Sequence, residues 1–386
     1  MARVILPGPG EARVPIHVWA RSLPDGALVQ LQRIAAQPYV VEHVAAMPDV
    51  HVAHGVAVGT VFATERTVVP VALGGDLGCG MAALRFDFPA AALSHRDRQR
   101  LLAKLGARIP VGEAVHRGRG APVPDGLLEA PLSTGALMHA RARLLGRHLG
   151  TLGGGNHFVE LDRDGEGDLW LLVHTGSRGL GAVIAAHHLR AAEAEGTGAL
   201  PGLDVSSLAG RACLADLAWA LQFARANRDR VLAAAVEVVS GETGVAPDGP
   251  SRVDLHHNFV AEETHFGRPL LVHRKGAIAA PLGVCALIPG SMGTASYLVE
   301  GLGAPESFGS GSHGAGRVLT RREAQARISP RRLTLAMRRV VFDPRRTRTL
   351  VEEAPSAYRD LSEVLEDQAE LVRPLRRLEP LVVLKG

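Results

Sequence analysis

Six short segments of this 386-residue chain set metal-ligating or nucleophilic side chains beside tight turns, most of them rich in glycine. They are Met47-Pro48-Asp49-Val50-His51; Gly74-Gly75-Asp76-Leu77-Gly78-Cys79-Gly80; Gly153-Gly154-Gly155-Asn156-His157-Phe158; His174-Thr175-Gly176-Ser177-Arg178-Gly179; Asp254-Leu255-His256-His257-Asn258; and Ser312-His313-Gly314-Ala315-Gly316-Arg317. Glycine lets a backbone turn sharply and approach a ligand closely, and loops at strand ends are where sites are built. One such segment carries little weight, because a strand-end His is usually structural. The same pattern six times in one chain points to a site. Asp76 and Cys79 lie three apart in one turn, close enough to bind one metal ion or bridge two. His157, His174 and His257 add three imidazoles. One carboxylate, one thiolate and three imidazoles suit one or two transition-metal ions. Thiolate with imidazole favours zinc, and the carboxylate keeps manganese or iron open. His313, followed by Gly-Ala-Gly-Arg in a loose-looking Gly/Ser stretch, suits a nucleophile that attacks phosphorus, with backbone N–H groups and Arg317 balancing phosphate charge.

The elements that must hold these residues can be read from periodicity. Residues 1–46 mix strand and helix signals. The β-branched runs Val56–Val61 and Val68–Leu73 predict strands. Residues 91–150 are helical and Arg-rich, looser around Pro110 and Gly118–Pro124. Residues 169–174 predict a short apolar strand ending in His174. Residues 181–240 carry long helical periodicity, with Ser206 or Ser207 as N-cap. Residues 252–300 return to strands and turns, and 301–317 are Gly/Ser-rich. Residues 321–386 predict mostly helix with a short final strand, Leu381–Leu384. No internal repeat or linker divides the chain, and the motifs run from residue 47 to the end, which predicts one interleaved α+β domain.

The composition, 46% hydrophobic and 21% charged, excludes a disordered or fibrous chain. No apolar run approaches the roughly 20 residues of a membrane span. Met1–Pro7 is too short an apolar stretch for a secretory leader, so a cytoplasmic protein is expected. A net charge of +4 permits a polyanionic partner without requiring one. The three cysteines are too few and too scattered for a disulfide framework. Cys213 and Cys285 read as core residues; Cys79, in its acidic turn, does not. Only three of the 43 basic residues are Lys, at 104, 275 and 385. Arg is a permanent cation and a poor nucleophile, so the surviving lysines draw notice.

The segments resemble the RtcB family of RNA ligases. The resemblance rests on Met47–His51, Asp76–Gly80, Gly150–Glu160, His174–Gly179, His257-Asn258, Arg274-Lys275-Gly276-Ala277, Pro289-Gly290-Ser291-Met292-Gly293, Ser312–Arg317, Ser356-Ala357-Tyr358-Arg359-Asp360 and Lys385-Gly386, in family order. The length resembles the compact bacterial form. The resemblance implies a single RtcB-like catalytic domain over 1–386, with β-sheets carrying a two-metal site and helices packed outside. It implies an enzyme that uses GTP and two Mn²⁺ ions to join RNA ends bearing a 2′,3′-cyclic phosphate or 3′-phosphate to 5′-hydroxyl ends. A His attacks the α-phosphate of GTP and holds GMP through a P–N bond. The GMP passes to the RNA 3′-phosphate and leaves when the 5′-hydroxyl attacks.

Carried over residue by residue, His313 matches the guanylylated His, and Asp76, Cys79, His157, His174 and His257 match the metal ligands, with Cys79 placed to bridge two ions. The guanylate pocket resembles Asn156, His157, Phe158, Val159 and Glu160, His257 and Asn258, Pro289, Gly290, Ser291 and Met292, Ser296, His313, Gly314, Ala315 and Gly316, and Lys385. Arg178 would contact RNA phosphate. Lys275 is a rival nucleophile, whose other reading is a phosphate- or carboxylate-pairing cation. His257 is taken over His256 because it directly precedes Asn258. Two alternatives stand beside the ligase: an enzyme that only guanylylates RNA 3′-phosphates without sealing, and a non-catalytic metal-dependent RNA-binding protein. An activating protein partner, the cellular RNA and the oligomeric state are not legible in the sequence.

Overall fold

The structure is a computed structural model that describes residues 2–6, 12–117, 122–195 and 200–386. Its frame is two large sheets. A seven-stranded sheet runs in the spatial order Pro247–His256, Gly80–Pro89, Asp168–Thr175, Phe158–Arg163, Val372–Lys385, Ser296–Gly301, Cys285–Ile288, every pair antiparallel. A six-stranded sheet runs Arg3–Ile5, Ile16–Val18, Val40–His51, Val58–Thr64, Arg268–Lys275, Asn258–His265, with one parallel pair, Ile16–Val18 on Val40–His51. The fold class is α+β, as expected.

Both faces of the seven-stranded sheet are covered. In Asp168–Thr175 the odd residues Leu169, Leu171 and Val173 join one buried cluster, and Trp170 and Leu172 join another on the opposite side. This is the period-2 alternation of a strand buried on two faces. The odd face packs under the helix Leu208–Thr243 through Val231, Leu232 and Ala235, and under His95–Arg108 through Leu101 and Leu105. The even face is covered by short C-terminal helices through Leu333, Met337 and Leu350. The six-stranded sheet buries Val44, Ala46 and Phe62 against the helix Asp25–Ala35, whose Ala27, Leu31, Ile34 and Ala35 recur at helical spacing.

Several sequence expectations hold. Ser207 caps Leu208–Thr243, its hydroxyl accepting the Gly210 N–H at 3.0 Å, and Gly244 ends the helix in the left-handed region. Cys213 is buried. Others are corrected. Val68–Leu73 is not a strand: only Thr67–Val68 pairs, and Pro70, lacking an N–H for a ladder, opens the 3₁₀ turn Pro70–Leu73. The final strand is not Leu381–Leu384 but Val372–Lys385, which takes residues expected to be helical. It lies between two neighbours, and that pairing outweighs its Arg-rich composition. Cys285 is exposed, not core, because it starts an edge strand. The stretch before His313 is a buried strand, Ser310–Ser312, paired with Ala277–Ala279. Residues 118–121 of the expected loose segment lie outside the described residues. Among the described residues, no helix is long and apolar enough to cross a membrane.

Candidate metal centre and adjoining cavity

The site lies where the chain passes between the sheets. His256 ends a strand of the seven-stranded sheet and Asn258 begins one of the six-stranded sheet, so His257 sits at the crossing. Its N–H donates to Cys79 O at 2.8 Å. Asn258 ties the junction further: its Nδ2 donates to Asp76 O at 3.2 Å and its Oδ1 accepts the Gly276 N–H at 2.8 Å.

Five predicted ligands converge here. Cys79 Sγ is 3.3 Å from both His157 Nε2 and His174 Nε2. His157 Nε2 is 3.0 Å from Asp76 Oδ2, and His174 Nε2 is 3.0 Å from His257 Nε2. Cys79, His157 and His174 set their ligand atoms within 4.8 Å of one another, and Asp76 and His257 flank this trio, Asp76 at His157 and His257 at His174. His157 Nδ1 donates to Leu152 O at 2.9 Å and His174 Nδ1 to Asn156 O at 3.2 Å. Those carbonyls accept only, which puts the ring proton on Nδ1 and turns the Nε2 lone pair into the cluster. His257 Nδ1 is buried without a partner. Converging lone pairs beside a thiol, with an orphaned imidazole nitrogen, fit a transition-metal ion. Burial, reinforced by neighbouring imidazoles, pushes His174 well below its ordinary value, and burial with the nearby His313 does the same to His257, so both are neutral at pH 7. Burial and then Asp76 push the Cys79 thiol well up, so metal binding must displace its proton. Burial would raise Asp76, but the hydrogen bond and charge of His157 hold it below the carboxylate range. Gly176 is needed beside it, since a Cβ there would lie 2.3 Å from Asp76 Oδ1.

Two residues of the long helix that the sequence reading missed hold this centre together. Asn227, fully buried, accepts the Gly150 and Thr151 N–H groups at 2.8 and 3.2 Å and donates to Thr151 O, Thr175 Oγ1 and Gly176 O. Arg228, also fully buried, donates to Gly78 O at 2.9 Å and pairs with Asp254 at 2.8 Å. They pin the loops that carry Cys79, His157 and His174. No sequence signal marked them, because Arg225, Asp229 and Arg230 beside them give the stretch the look of a solvated helix face. His256 faces Gly78 O and Arg228, outside the cluster.

Beside the centre opens a cavity of about 280 Å³ that His313 lines together with His174, His257 and the turn Pro289–Met292. The His313 and His257 ring centroids are 4.8 Å apart. Asp49, fully buried, places its Oδ2 2.6 Å from His313 Nδ1, off the line of a ring N–H bond, and accepts the His313 backbone N–H at 3.1 Å. Gly316, at φ +71°, brings the chain so close that a Cβ would sit 2.5 Å from Asp49 O.

Residues 30–386 match the family model described as tRNA-splicing ligase RtcB. The chain belongs to the RtcB family. It is 36% identical to the RNA-splicing ligase RtcB of Escherichia coli, over 96% of this chain and 97% of that one. It is 33% identical to the RNA-splicing ligase RtcB of Mycobacterium tuberculosis, over 93% of this chain and the full length of the relative. A tRNA-splicing ligase RtcB of Nanoarchaeum equitans is 28% identical over 99% and 97%.

Most residues that the family resemblance assigned to the guanylate pocket line this cavity: Asn156, Phe158, His257, Asn258, Pro289, Gly290, Ser291, Met292, His313, Gly314, Ala315, Gly316 and Lys385. Four do not. His157 turns to the metal cluster. Val159 points to the opposite core, because strand neighbours alternate faces. Ser296 is buried behind the turn, where its hydroxyl accepts the Gly290 N–H at 3.2 Å. Glu160 is buried beside Asp162, and desolvation followed by that second carboxylate pushes it well above the usual range. Lys385 lies over the Phe158 ring at 5.4 Å and pairs with Glu353 at 3.3 Å.

Glu353 and Tyr358 also line the cavity, and Glu353 went unnoticed in the sequence. It binds Arg317 Nη1 at 3.1 Å and the Tyr358 hydroxyl at 2.5 Å. Burial would raise it, but Lys385, Tyr358 and Arg317 hold it below the carboxylate range. Arg317 shares Glu353 with Lys385 and also donates to the Leu319 and Glu352 carbonyls and the Tyr358 hydroxyl. Arg178 commits Nε to Thr151 Oγ1 and Nη2 to Gly112 O, which makes it a loop brace. Lys275 donates to the carbonyls of His54 and Val56 at 2.8 and 2.7 Å, and burial lowers it to about 8. Its nitrogen is occupied by backbone carbonyls, so among the described residues it pairs with no carboxylate and acts as a structural cation.

Proposed function

We propose that residues 1–386 form one catalytic unit, a GTP- and manganese-dependent RNA ligase working in the cytoplasm. It joins RNA 2′,3′-cyclic phosphate or 3′-phosphate ends to 5′-hydroxyl ends through a guanylyl-histidine. The observation that carries this reading is His313 with its ring centroid 4.8 Å from that of the predicted ligand His257, inside a cavity lined by Pro289–Met292 and Gly314–Gly316. Family membership and relatives named as RNA-splicing ligases support it.

Cys79, His157 and His174, with Asp76 and His257 flanking them, would hold two manganese ions. Bound there, manganese supplies Lewis-acid polarisation of the α-phosphate. Asp49 accepts the His313 backbone N–H and sets its carboxylate beside Nδ1, which favours the ring proton there and leaves the Nε2 lone pair as the nucleophile. Nε2 attacks the α-phosphorus of GTP; the P–N bond forms, the α–β phosphoanhydride breaks, and pyrophosphate leaves. Lys385 and the backbone N–H groups of Met292 and Gly314–Gly316 balance phosphate charge and orient the guanylate. An RNA 3′-phosphate oxygen then attacks the GMP phosphorus, and the P–N electrons return to His313. The 5′-hydroxyl attacks the RNA phosphorus, its proton passes to solvent, and GMP leaves. A cyclic phosphate is opened by water first.

The test is incubation with α-labelled GTP and Mn²⁺, followed by RNAs bearing a 3′-phosphate and a 5′-hydroxyl. A labelled protein adduct and a joined product are expected. An adduct with activated RNA ends but no joining would leave a guanylyl-capping enzyme, and no adduct would leave a metal-dependent RNA-binding protein.

A further inference from the structure

The charge of this protein is concentrated in one stretch. Residues 321–348 contain ten arginines and two carboxylates, a net +8, so the other residues together are net negative in a chain of +4. Most of these arginines do not serve folding. Among the described residues, Arg322, Arg331, Arg332, Arg338, Arg339 and Arg348 are exposed, and no ion pair engages them. Six unpartnered guanidinium groups on short helices and on the turn after Ala336 repel one another unless a polyanion lies over them.

The segment has a direction. At one end Arg321 lines the cavity that holds His313. Further on, Arg338 and Arg339 form a wall of a second, larger groove of about 910 Å³, which also receives Arg98, Arg163 and Tyr297. The two openings share a partition. Gly290–Met292 line the cavity, and Gly293–Ala295 of the same turn line the groove. Gly293 packs so closely under Met337 that a Cβ would lie 2.9 Å from its sulfur, which fixes the arginine wall against the turn. In the groove, Glu379 is shared by Arg163 and Arg377, leaving an excess of positive charge.

We propose that this groove and the arginine segment bind the single-stranded RNA that leads into the cavity, so that the nucleotides preceding the 3′-phosphate lie along Arg338 and Arg339. The reading rests on the proposed ligase function. Arginine forks match phosphate oxygens in pairs, and Tyr297 offers a ring for base stacking. A concave groove between two walls fits a strand rather than a bilayer surface.

The experiment compares the full-length protein with the double variants R338A/R339A and R338K/R339K. It uses a labelled single-stranded RNA ending in a 3′-phosphate and measures anisotropy across a salt series. The Ala pair is expected to weaken binding about tenfold near 0.1 M salt. It should also make the slope of log K against log[salt] shallower by about 1.4, or 0.7 per lost phosphate contact. The Lys pair should restore most of the slope, and the rate of GMP adduct formation, which needs no RNA, should match wild type in both. Joining should show a raised KM for RNA with kcat retained. Unchanged affinity and slope in the Ala pair would overturn the proposal and leave the arginines to another partner, such as an acidic protein. Loss of adduct formation in the Ala pair would also overturn it, by showing a structural role. If wild type forms no adduct while the slope still falls, the ligase reading fails and the RNA groove stands.

Discussion

Asn227 makes the most demanding test of how the metal centre is built. Its amide serves five groups on the two loops after Leu149 and His174. In Asn227→Ala, the Gly150 N–H and the Thr151 and Gly176 carbonyls lose this buried partner, while the Thr151 N–H keeps a second one, His148 O at 3.1 Å. At about 1–3 kcal/mol for each buried group left unsatisfied, three such groups predict a loss of roughly 3–9 kcal/mol. That is a large part of the ~5–15 kcal/mol by which a native protein is stable. The loops also set His157 and His174, so affinity for Mn²⁺ should fall about 10–100-fold, as for other outer-shell partners of metal ligands. Denaturant unfolding and Mn²⁺ titration read the two effects separately. Ser240→Ala is the control: Ser240 lies on the same helix, and its buried hydroxyl has no partner, so the change should stay within about 0.5 kcal/mol. A loss under 1 kcal/mol in Asn227→Ala with unchanged Mn²⁺ affinity would refute the reasoning.

Cys79→Ser should keep the fold but lose most bound manganese and metal-dependent activity, since a neutral hydroxyl replaces an anionic soft ligand; metal analysis after dialysis reads this directly. Lys385→Ala should slow GMP adduct formation without changing metal content, because Lys385 Nζ meets Glu353 and the cavity, not the cluster. His313→Ala should abolish the adduct yet still join RNA already carrying GMP on its 3′-phosphate, whereas Lys275→Ala should retain some adduct; the reverse pattern would reassign the nucleophile. His273, fully buried, is lowered to about 3 by desolvation against an ordinary value of 6.5. The unfolded chain therefore binds the extra proton first, and stability falls as pH drops from 6.5 toward 3, by about 3 kcal/mol at pH 4. Unfolding midpoints should drop less steeply with acid in His273→Gln, whose carbonyl can still accept the Val69 N–H that His273 Nε2 accepts at 3.1 Å.

What the sequence determined was local. Residue type and spacing marked Asp76, Cys79, His157, His174, His257 and His313, because all of them sit in short glycine-rich or polar motifs. A short apolar run marked the strand that ends at His174, and Ser206 or Ser207 marked the start of the long helix, since both follow from neighbours a few residues away. Tertiary structure decided everything that depends on distant partners. Asp49 reaches His313 across 264 residues, and nothing near either one announces the other. The extended strand Val372–Lys385 exists because two neighbours supply its ladder hydrogen bonds, which overrides a composition that reads as helix. Lys275 looked like a nucleophile until carbonyls from a different loop claimed its protons. Val159 left the pocket because a strand turns alternate residues to opposite faces. Asn227, Arg228 and Glu353 stayed invisible for one shared reason. A buried polar side chain is justified only by the groups that satisfy it, and here those groups lie on loops tens to hundreds of residues away.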